Sequence, residues 1–341
     1  MGTRNKAREV SSLSKEPMIS VIMPVFNRQD FVGTAIESIL AQTYTDFEFI
    51  IFDDGSTDDS LKIIQSYRDP RIRVVSGKGN RKLVPPLNDA IKMARGRYLA
   101  RMDSDDISLP RRFEHQINFL EKHPDIDVCG GFFRTLGGGF NFVQTYPIKH
   151  DDIKLALMFF CAFANPTTMV RRTAILQKAI FYDEDFLYAE DYDFWSRMAA
   201  SGCTFHNIPE VLLRYRVGHL HIFTEHGGRQ QQLTHQIVAR NLVDFGLPEQ
   251  TVQPLLRDTY TLETLKEAIR IFEMLPDVNR RRNVYSSKAF DDMISLAKLR
   301  FVAEQSKLGI GVLSCIKKRD VFCQPKAFTK LLAKVLLAYV R

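Results

Sequence analysis

The stretch Tyr98–Asp106 reads YLARMDSDD, and it decides how the rest of the chain is read. Its first half is a short apolar run. Its second half sets three carboxylates within four residues, Asp103, Asp105 and Asp106, with Ser104 between them. A short apolar run bounded by a polar turn predicts a buried strand. Three neighbouring carboxylates repel, and they ionise together cheaply only if something positive sits among them. A hard divalent cation, Mn²⁺ or Mg²⁺, meets that need, since such ions take one or two carboxylates and complete their shell with substrate phosphates. The plainer reading is a solvated acidic turn or a helix N-cap.

Upstream, Ile19–Met23 is a β-branched apolar run that stops at Pro24, and Asn27 is placed to cap a helix carrying Phe31, Ala35, Ile36, Ile39 and Leu40. Phe47–Phe52 is a second strand, running straight into Asp53-Asp54-Gly55-Ser56, with Ser56 or Thr57 expected to cap the next helix. Arg71–Val75 reads as a third strand, and Leu87–Ala94 as a helix that Gly96 is placed to end. Downstream, Pro110 is placed to start a helix through Leu120, and Ile126–Phe133 is a fifth strand. Such alternation predicts an α/β fold, a mostly parallel central sheet flanked by helices. Ligands of these sheets bind beyond the carboxyl ends of the strands. Pro24, Asp53 and Asp103 each follow a strand, so they should line one edge of the sheet although they are far apart in the chain.

Beyond Leu136 the pattern loosens. Thr167–Val170 and Val211–Tyr215 read as strands, and Tyr188–Ala200 as a helix entered through Glu190 and Asp191. Helical patterns dominate from residue 230 onward. The expected division is a leader over 1–17, an α/β domain over 18–227 and a helical region over 228–341. The 341 residues, 45% hydrophobic and 26% charged, are those of an ordinary globular protein. Five Cys, an odd number without CxxC spacing, argue against a zinc site or a disulfide framework and for a reducing compartment. No apolar run reaches the length of a membrane span, and the polar, basic N-terminus lacks a signal peptide's apolar core.

Two further segments carry chemistry. Asp53-Asp54-Gly55-Ser56-Thr57-Asp58 suits either a tight turn with a helix cap or recognition of a base and ribose, where a buried carboxylate accepts from an imide N–H. Glu190-Asp191 lies among Tyr188, Tyr192 and the single Trp, Trp195. A carboxylate near apolar rings has a raised pKa, as a general base needs; acids also favour a helix N-terminus for its dipole alone.

Taken together, these segments and Pro24-Val25-Phe26-Asn27 resemble the inverting glycosyltransferases of family two, with the GT-A fold. The matching stretches are Ile19–Asn27, Ile50–Ser60, Arg95–Pro110 and Tyr188–Arg197, and the similarity runs from Met18 to about Arg216. The resemblance implies that Pro24, Val25, Phe26, Asn27, Asp53 and Asp54 hold the donor nucleotide, with Asp103 and Ser104 at the ribose or donor sugar. It implies that Asp105 binds the metal, with Asp106 supporting or sharing that role, and that Asp191 is the catalytic base, with Glu190 orienting it or touching the acceptor. Family members carry a metal- or phosphate-binding His after a Tyr-Arg pair, which suggests His219 or His221 after Tyr215-Arg216. The basic, proline-stiffened segment Asn80–Pro86 replaces the family's Gly-rich stretch and leaves the donor sugar open.

The activity implied is transfer of a single sugar from a nucleotide-sugar, with UDP as carrier, to a glycan or lipid-linked acceptor in cell-surface polysaccharide or lipopolysaccharide synthesis. The motif and membrane helices of processive synthases are absent. A non-catalytic relative and a nucleotidyltransferase are the rival readings. The net charge is +7, and residues 301–341 hold eight Lys and Arg against two Asp and Glu. Within them, Phe328, Leu331, Leu332, Val335, Leu336 and Tyr339 share one helical face over 326–341. That pattern fits contact with an anionic membrane from the cytoplasmic side, and equally packing on the chain's own helices. Nucleic acid is not an expected partner, because no recognised module accompanies the basic tail.

Overall fold

The computed structural model describes residues 16–77, 79–139, 141–217 and 226–340. The leader, apart from its last two residues, and His219 and His221 fall outside them. The chain divides into two compact units that alternate along the sequence. The first takes Met1–Thr145, Phe163–Tyr182 and Asn207–Gly218; the second takes Tyr146–Ala162, Asp183–His206 and His219–Arg341.

The first unit holds the sheet. Its parallel part is β1 (Ile19–Val25), β2 (Phe47–Asp53), β3 (Ile72–Ser76) and β4 (Tyr98–Arg101), in the order β3-β2-β1-β4. β1 and β2 are buried on both faces, as a covered parallel strand should be. Ile19, Val21, Met23 and Val25 point to one face with Phe49, Ile51 and Tyr98. There they meet Val32, Ala35, Ile36 and Ile39 of α1 (Val32–Leu40) and Phe113 and Ile117 of α4 (Arg112–Lys122). The opposite face of β1 and β2 is covered by α3 (Val84–Met93). Each such aliphatic side chain contributes roughly 1.5–3 kcal/mol by leaving water.

Past β4 the sheet turns antiparallel. β4 pairs with β8 (Met169–Arg171), and β8 with β6 (Val128–Leu136), whose far end carries β7 (Val143–Gln144). β9 (Phe205–Arg216) and the two-residue β5 (Ile107–Ser108) complete it. The expected strands are all present. Several expected caps are not. Asn27 takes a left-handed φ of 51° and stands well before α1, whose N-cap is Phe31. The helix α2 (Ser60–Ser66) begins after Asp59, with Asp58 accepting from the Ser60 N–H, so neither Ser56 nor Thr57 caps it. Pro110 precedes α4 by two residues. Gly96 does not end α3, which closes at Ala94. Its role is close approach: a Cβ there would lie 2.4 Å from the Ser20 nitrogen of β1.

The second unit is helical. α7 (Glu190–Ala200) packs with α5 (His150–Leu157) and α8 (Gly227–Asp244), and α10 (Leu262–Arg282) packs with α11 (Ser287–Glu304). Phe272 and Phe301 join the last pair at 5.7 Å between ring centroids. Pro325–Val340 is helical and contacts α11 and the 306–315 segment of the same unit, with Leu331 buried. The five cysteines are unpaired thiols, and among the described residues no helix is long and apolar enough to cross a membrane.

Gly96→Ala tests the close approach. The added methyl meets backbone rather than a movable side chain, so it should cost about 2–3 kcal/mol of unfolding free energy, read from the denaturant midpoint. Unchanged stability would show that β1 and the α3–β4 turn are free to separate.

Candidate active site

Strand register builds the site edge. Val25 lies opposite Asp53, and Ile22 opposite Arg101, so the ends of β2, β1 and β4 stand side by side. The ladder continues past the strands: the Asp54 N–H donates to the Val25 carbonyl at 2.9 Å, and the Met102 N–H to the Ile22 carbonyl at 3.0 Å. Both acidic clusters of this unit thereby leave the sheet at one edge, beside Pro24–Asn27.

Asn27 binds the loops together. Its backbone N–H donates to Ser56 Oγ at 3.0 Å, and its side-chain oxygen accepts from the Thr57 N–H at 2.8 Å. The Arg28 N–H donates to Ser60 Oγ and the Gln29 N–H to Asp58. The left-handed Asn27 backbone is what turns the chain back along the Ser56–Ser60 segment. Asparagine tolerates that conformation better than most residues.

Asp53 is fully buried, and its Oδ2 accepts from the N–H groups of Gly55 and Ser56. Its Oδ1 and both carboxylate oxygens of Asp54 are buried without a close hydrogen bond. Burial raises the Asp54 pKa, and the Arg81 backbone N–H, then its guanidinium with Nε 3.9 Å away, and the Lys82 N–H moderate the rise. Arg81 also lies over the Phe52 ring at 5.2 Å. A cleft of about 440 Å³, lined by Phe52, Val75, Gly77, Arg81 and Lys92 among others, opens here. Buried polar atoms left without partners call for donors from elsewhere.

The second cluster is held by arginines. Asp103 pairs with Arg101 at 2.8 Å, and Asp105 lies 3.6 Å from Arg28. Arg216 donates from its backbone N–H to Asp106 Oδ1 at 2.8 Å and from Nε to the Asp105 carbonyl at 2.7 Å, with its guanidinium 4.4 Å from the Phe31 ring. Ser104 is buried in the turn. Asp106 is 1% exposed, so it works from inside the turn as an anchor for Arg216. Burial, then the neighbouring charges of Asp103 and Asp105, push its pKa well above the carboxylate range. Burial and Asp103 also raise Asp105, against the pull of Arg28. Arg112, wholly buried, bonds Gln116 and the carbonyls of Arg101 and Thr168, and burial brings its pKa down to about 10, still cationic at neutral pH. These arginines were not singled out from sequence. The available signal was Arg101, a charged residue inside an otherwise apolar strand.

Asp103 and Asp105 are the members that keep exposed side chains, 31% and 26% respectively. Among the described residues no three Asp, Glu, His or Cys side chains converge into a metal cage. The arrangement fits a cation that takes one or two carboxylates here and its remaining oxygens from a bound phosphate, where the added positive charge relieves the crowding that raises Asp105 and Asp106.

In the second unit, Glu190 and Asp191 open α7. Tyr188 enters the helix with φ 84°, and Glu190 Oε2 accepts its N–H at 2.7 Å. A left-handed bulky residue is strained, and such strain gathers at functional sites. The Tyr188 ring stacks on His226 at 4.2 Å. Glu190 is thus turned to the backbone. Asp191 accepts from the Tyr192 N–H through Oδ1, and its Oδ2 stands 4.0 Å from Cys161 Sγ. Asp193, fully buried, is clamped by Arg197 at 2.6 Å and Arg240 at 2.7 Å, which fixes the helix start.

The fold is that of the GT-A-type glycosyltransferases. Solved S. aureus TarS 1–349 in complex with UDP-GlcNAc aligns with a TM-score of 0.58 at 17% identity, over 94% of this chain and 89% of that one. The mannosyltransferase PcManGT from Pyrobaculum calidifontis, in complex with GDP-Man and Mn²⁺, aligns at 0.56 and 16% identity, over 96% of this chain and 87% of that one. In sequence, the family model described as glycosyl transferase family 2 matches residues 20–181. An uncharacterized glycosyltransferase of Haemophilus influenzae is 31% identical over 241 residues, 67% of this chain and 74% of that protein. The Escherichia coli UDP-Glc:alpha-D-GlcNAc-diphosphoundecaprenol beta-1,3-glucosyltransferase WfaP is 29% identical over 200 residues, 59% of this chain and 77% of that protein. The chain belongs to glycosyltransferase family 2.

The raised Asp106 pKa has a stability consequence. A carboxyl whose folded pKa exceeds its unfolded value of about 3.8 binds more protons when folded, so its contribution to stability falls as pH rises through the folded pKa. Asp106→Asn keeps an acceptor for the Arg216 N–H and removes the charge. It should melt at or above the wild-type temperature at pH 7, with the difference shrinking toward pH 4. A variant that melts lower at pH 7 than wild type would show that the ionised carboxylate is needed there.

Proposed function

We propose that this enzyme moves one sugar from a UDP-sugar to a hydroxyl of a glycan or lipid-linked glycan, with inversion at the anomeric carbon, in surface-polysaccharide assembly. The observation that carries this reading is the meeting, at one sheet edge, of buried oxygens on Asp53 and Asp54 that lack a close hydrogen bond with the partly exposed carboxylates of Asp103 and Asp105. The first set offers acceptors to the imide N–H of a uracil, with Pro24, Val25 and Phe26 alongside and Arg81 at the neighbouring cleft. The second set, with Ser104, offers oxygens to a ribose and to a divalent cation on the diphosphate. Names of relatives and solved neighbours that carry UDP-GlcNAc, GDP-Man or UDP-Glc support a nucleotide-sugar donor.

Asp105 would hold Mn²⁺ or Mg²⁺, and Asp106 would support it by fixing the turn. The cation, when bound, neutralises charge that develops on the departing diphosphate. Arg28 and Arg216 flank the same turn and oppose the rise that burial imposes on Asp105 and Asp106. Asp191 takes the proton of the acceptor hydroxyl while that oxygen attacks the face opposite the diphosphate, so one displacement inverts the carbon and no covalent sugar–enzyme intermediate forms. Glu190 keeps Tyr188 in its left-handed turn and thereby sets where α7 begins.

Calorimetry on the full chain tests the donor half. UDP should bind with Mn²⁺ present, and Asp105→Ala should weaken binding by about tenfold or more through loss of a charged contact. Metal-independent binding that ignores the substitution would refute the assignment. Asp191→Asn should bind UDP normally and transfer sugar roughly 10²–10⁴-fold more slowly. Transfer at the wild-type rate would remove Asp191 from the mechanism.

A further inference from the structure

Around Asp191 the second unit assembles groups that proton removal does not use. Cys161 touches the Asp191 carboxylate at 4.0 Å. Its chain neighbour Phe160 carries the guanidinium of Arg300, from the last turns of α11, at 3.9 Å from the ring centroid. The phenol of Tyr146 is near enough to feel them all: burial raises its pKa first, Cys161 and Asp191 raise it further, and Arg300 opposes them. Tyr146 is therefore a neutral O–H donor at physiological pH. These residues lie far apart in sequence, and the fold of one unit gathers them beside the proposed base.

Arg300 has an exposed side chain and makes no hydrogen bond or ion pair with any described protein group, although burial around its guanidinium lowers its pKa against the pull of Glu304. The nearest acid along its helix, Glu304, is engaged by His235 at 3.0 Å and Gln231 at 3.1 Å. The guanidinium carbon lies over the Phe160 ring, and no described group accepts a hydrogen bond from its N–H fork. Such a planar fork, stacked on one side and free at its edge, matches a phosphate through two parallel hydrogen bonds. The catalytic reading needs no anion here beyond the donor's diphosphate, and the donor's acidic clusters belong to the other unit.

We propose that Arg300 binds the phosphate of a phosphate-linked acceptor sugar, so that the C-terminal helices select the acceptor. The inference rests on Asp191 being the base, since it places the acceptor's anion next to the hydroxyl that Asp191 deprotonates. A sugar carried on a diphosphate presents both groups on one ring. Arg300 is thus a specificity residue, one helix away from the chemistry.

The test uses the full chain saturated with UDP and Mg²⁺, which fills the donor's diphosphate site. Geranyl diphosphate, inorganic pyrophosphate and geraniol are then titrated separately into wild type, Arg300→Gln and Arg300→Lys. Geranyl diphosphate should bind wild type, bind Arg300→Gln about tenfold or more weakly, and bind Arg300→Lys in between, as loss of a charged two-point contact predicts. Tighter binding of geranyl diphosphate than of pyrophosphate would assign a lipid-linked acceptor; equal binding would assign a soluble phosphate-bearing one. No binding to wild type, equal binding to wild type and Arg300→Gln, or geraniol binding as tightly as its diphosphate would overturn the proposal. The preceding UDP titration reports on the donor reading by itself. Arg300 has no part in it, so a loss of UDP affinity in Arg300→Gln also counts against the assignment.

Discussion

Everything at the proposed donor site depends on like charges being held together. Asp53, Asp54, Asp103, Asp105 and Asp106 emerge from neighbouring strand ends because parallel pairing puts Val25 beside Asp53 and Ile22 beside Arg101. That register is fixed by apolar burial on both faces of β1 and β2, and a slip of one residue would turn every side chain to the wrong face. The sheet thereby concentrates negative charge where desolvation makes it most costly. The chain answers with Arg28, Arg101 and Arg216, and each arrives from a different segment.

This compensation is partial, and the incompleteness suits the chemistry. Asp105 and Asp106 remain raised in pKa, and three oxygens of Asp53 and Asp54 stay buried without a close hydrogen bond. A structural ion-pair network would satisfy these groups. A site that waits for a nucleotide and a cation leaves them open, because binding energy is available only from contacts not already made. Asp106 shows the division of labour within one motif. It faces inward to hold Arg216, while Asp103 and Asp105 keep their access to solvent.

The second unit uses charge differently. Asp193 is buried and fully paired with Arg197 and Arg240, so the start of α7 is rigid. Rigid support of this kind fixes a neighbouring carboxylate, Asp191, without touching it. Arg300, by contrast, is exposed, and Phe160 orients it without neutralising it. One unit thus contains a clamped acid, the proposed base and a cation without an ion pair, all within α7, α11 and the residues following α5.

The sequence by itself determined the strands, the helical C-terminal region and the two acidic clusters at one edge of the sheet, because burial of alternating apolar runs leaves little freedom over where a strand ends. It also determined the family, through the acidic motifs and their order. It misplaced the caps at Asn27, Ser56, Thr57 and Gly96, where a local rule lost to a long-range contact: Asn27 serves the Ser56–Ser60 loop, and Gly96 makes room for Ser20. Only the tertiary structure decided which carboxylates face inward, which arginines reach them, that Cys161 meets Asp191 and that Arg300 lies over Phe160. Those outcomes depend on side chains meeting across large sequence separations, and no local pattern records which distant residue will supply the opposite charge.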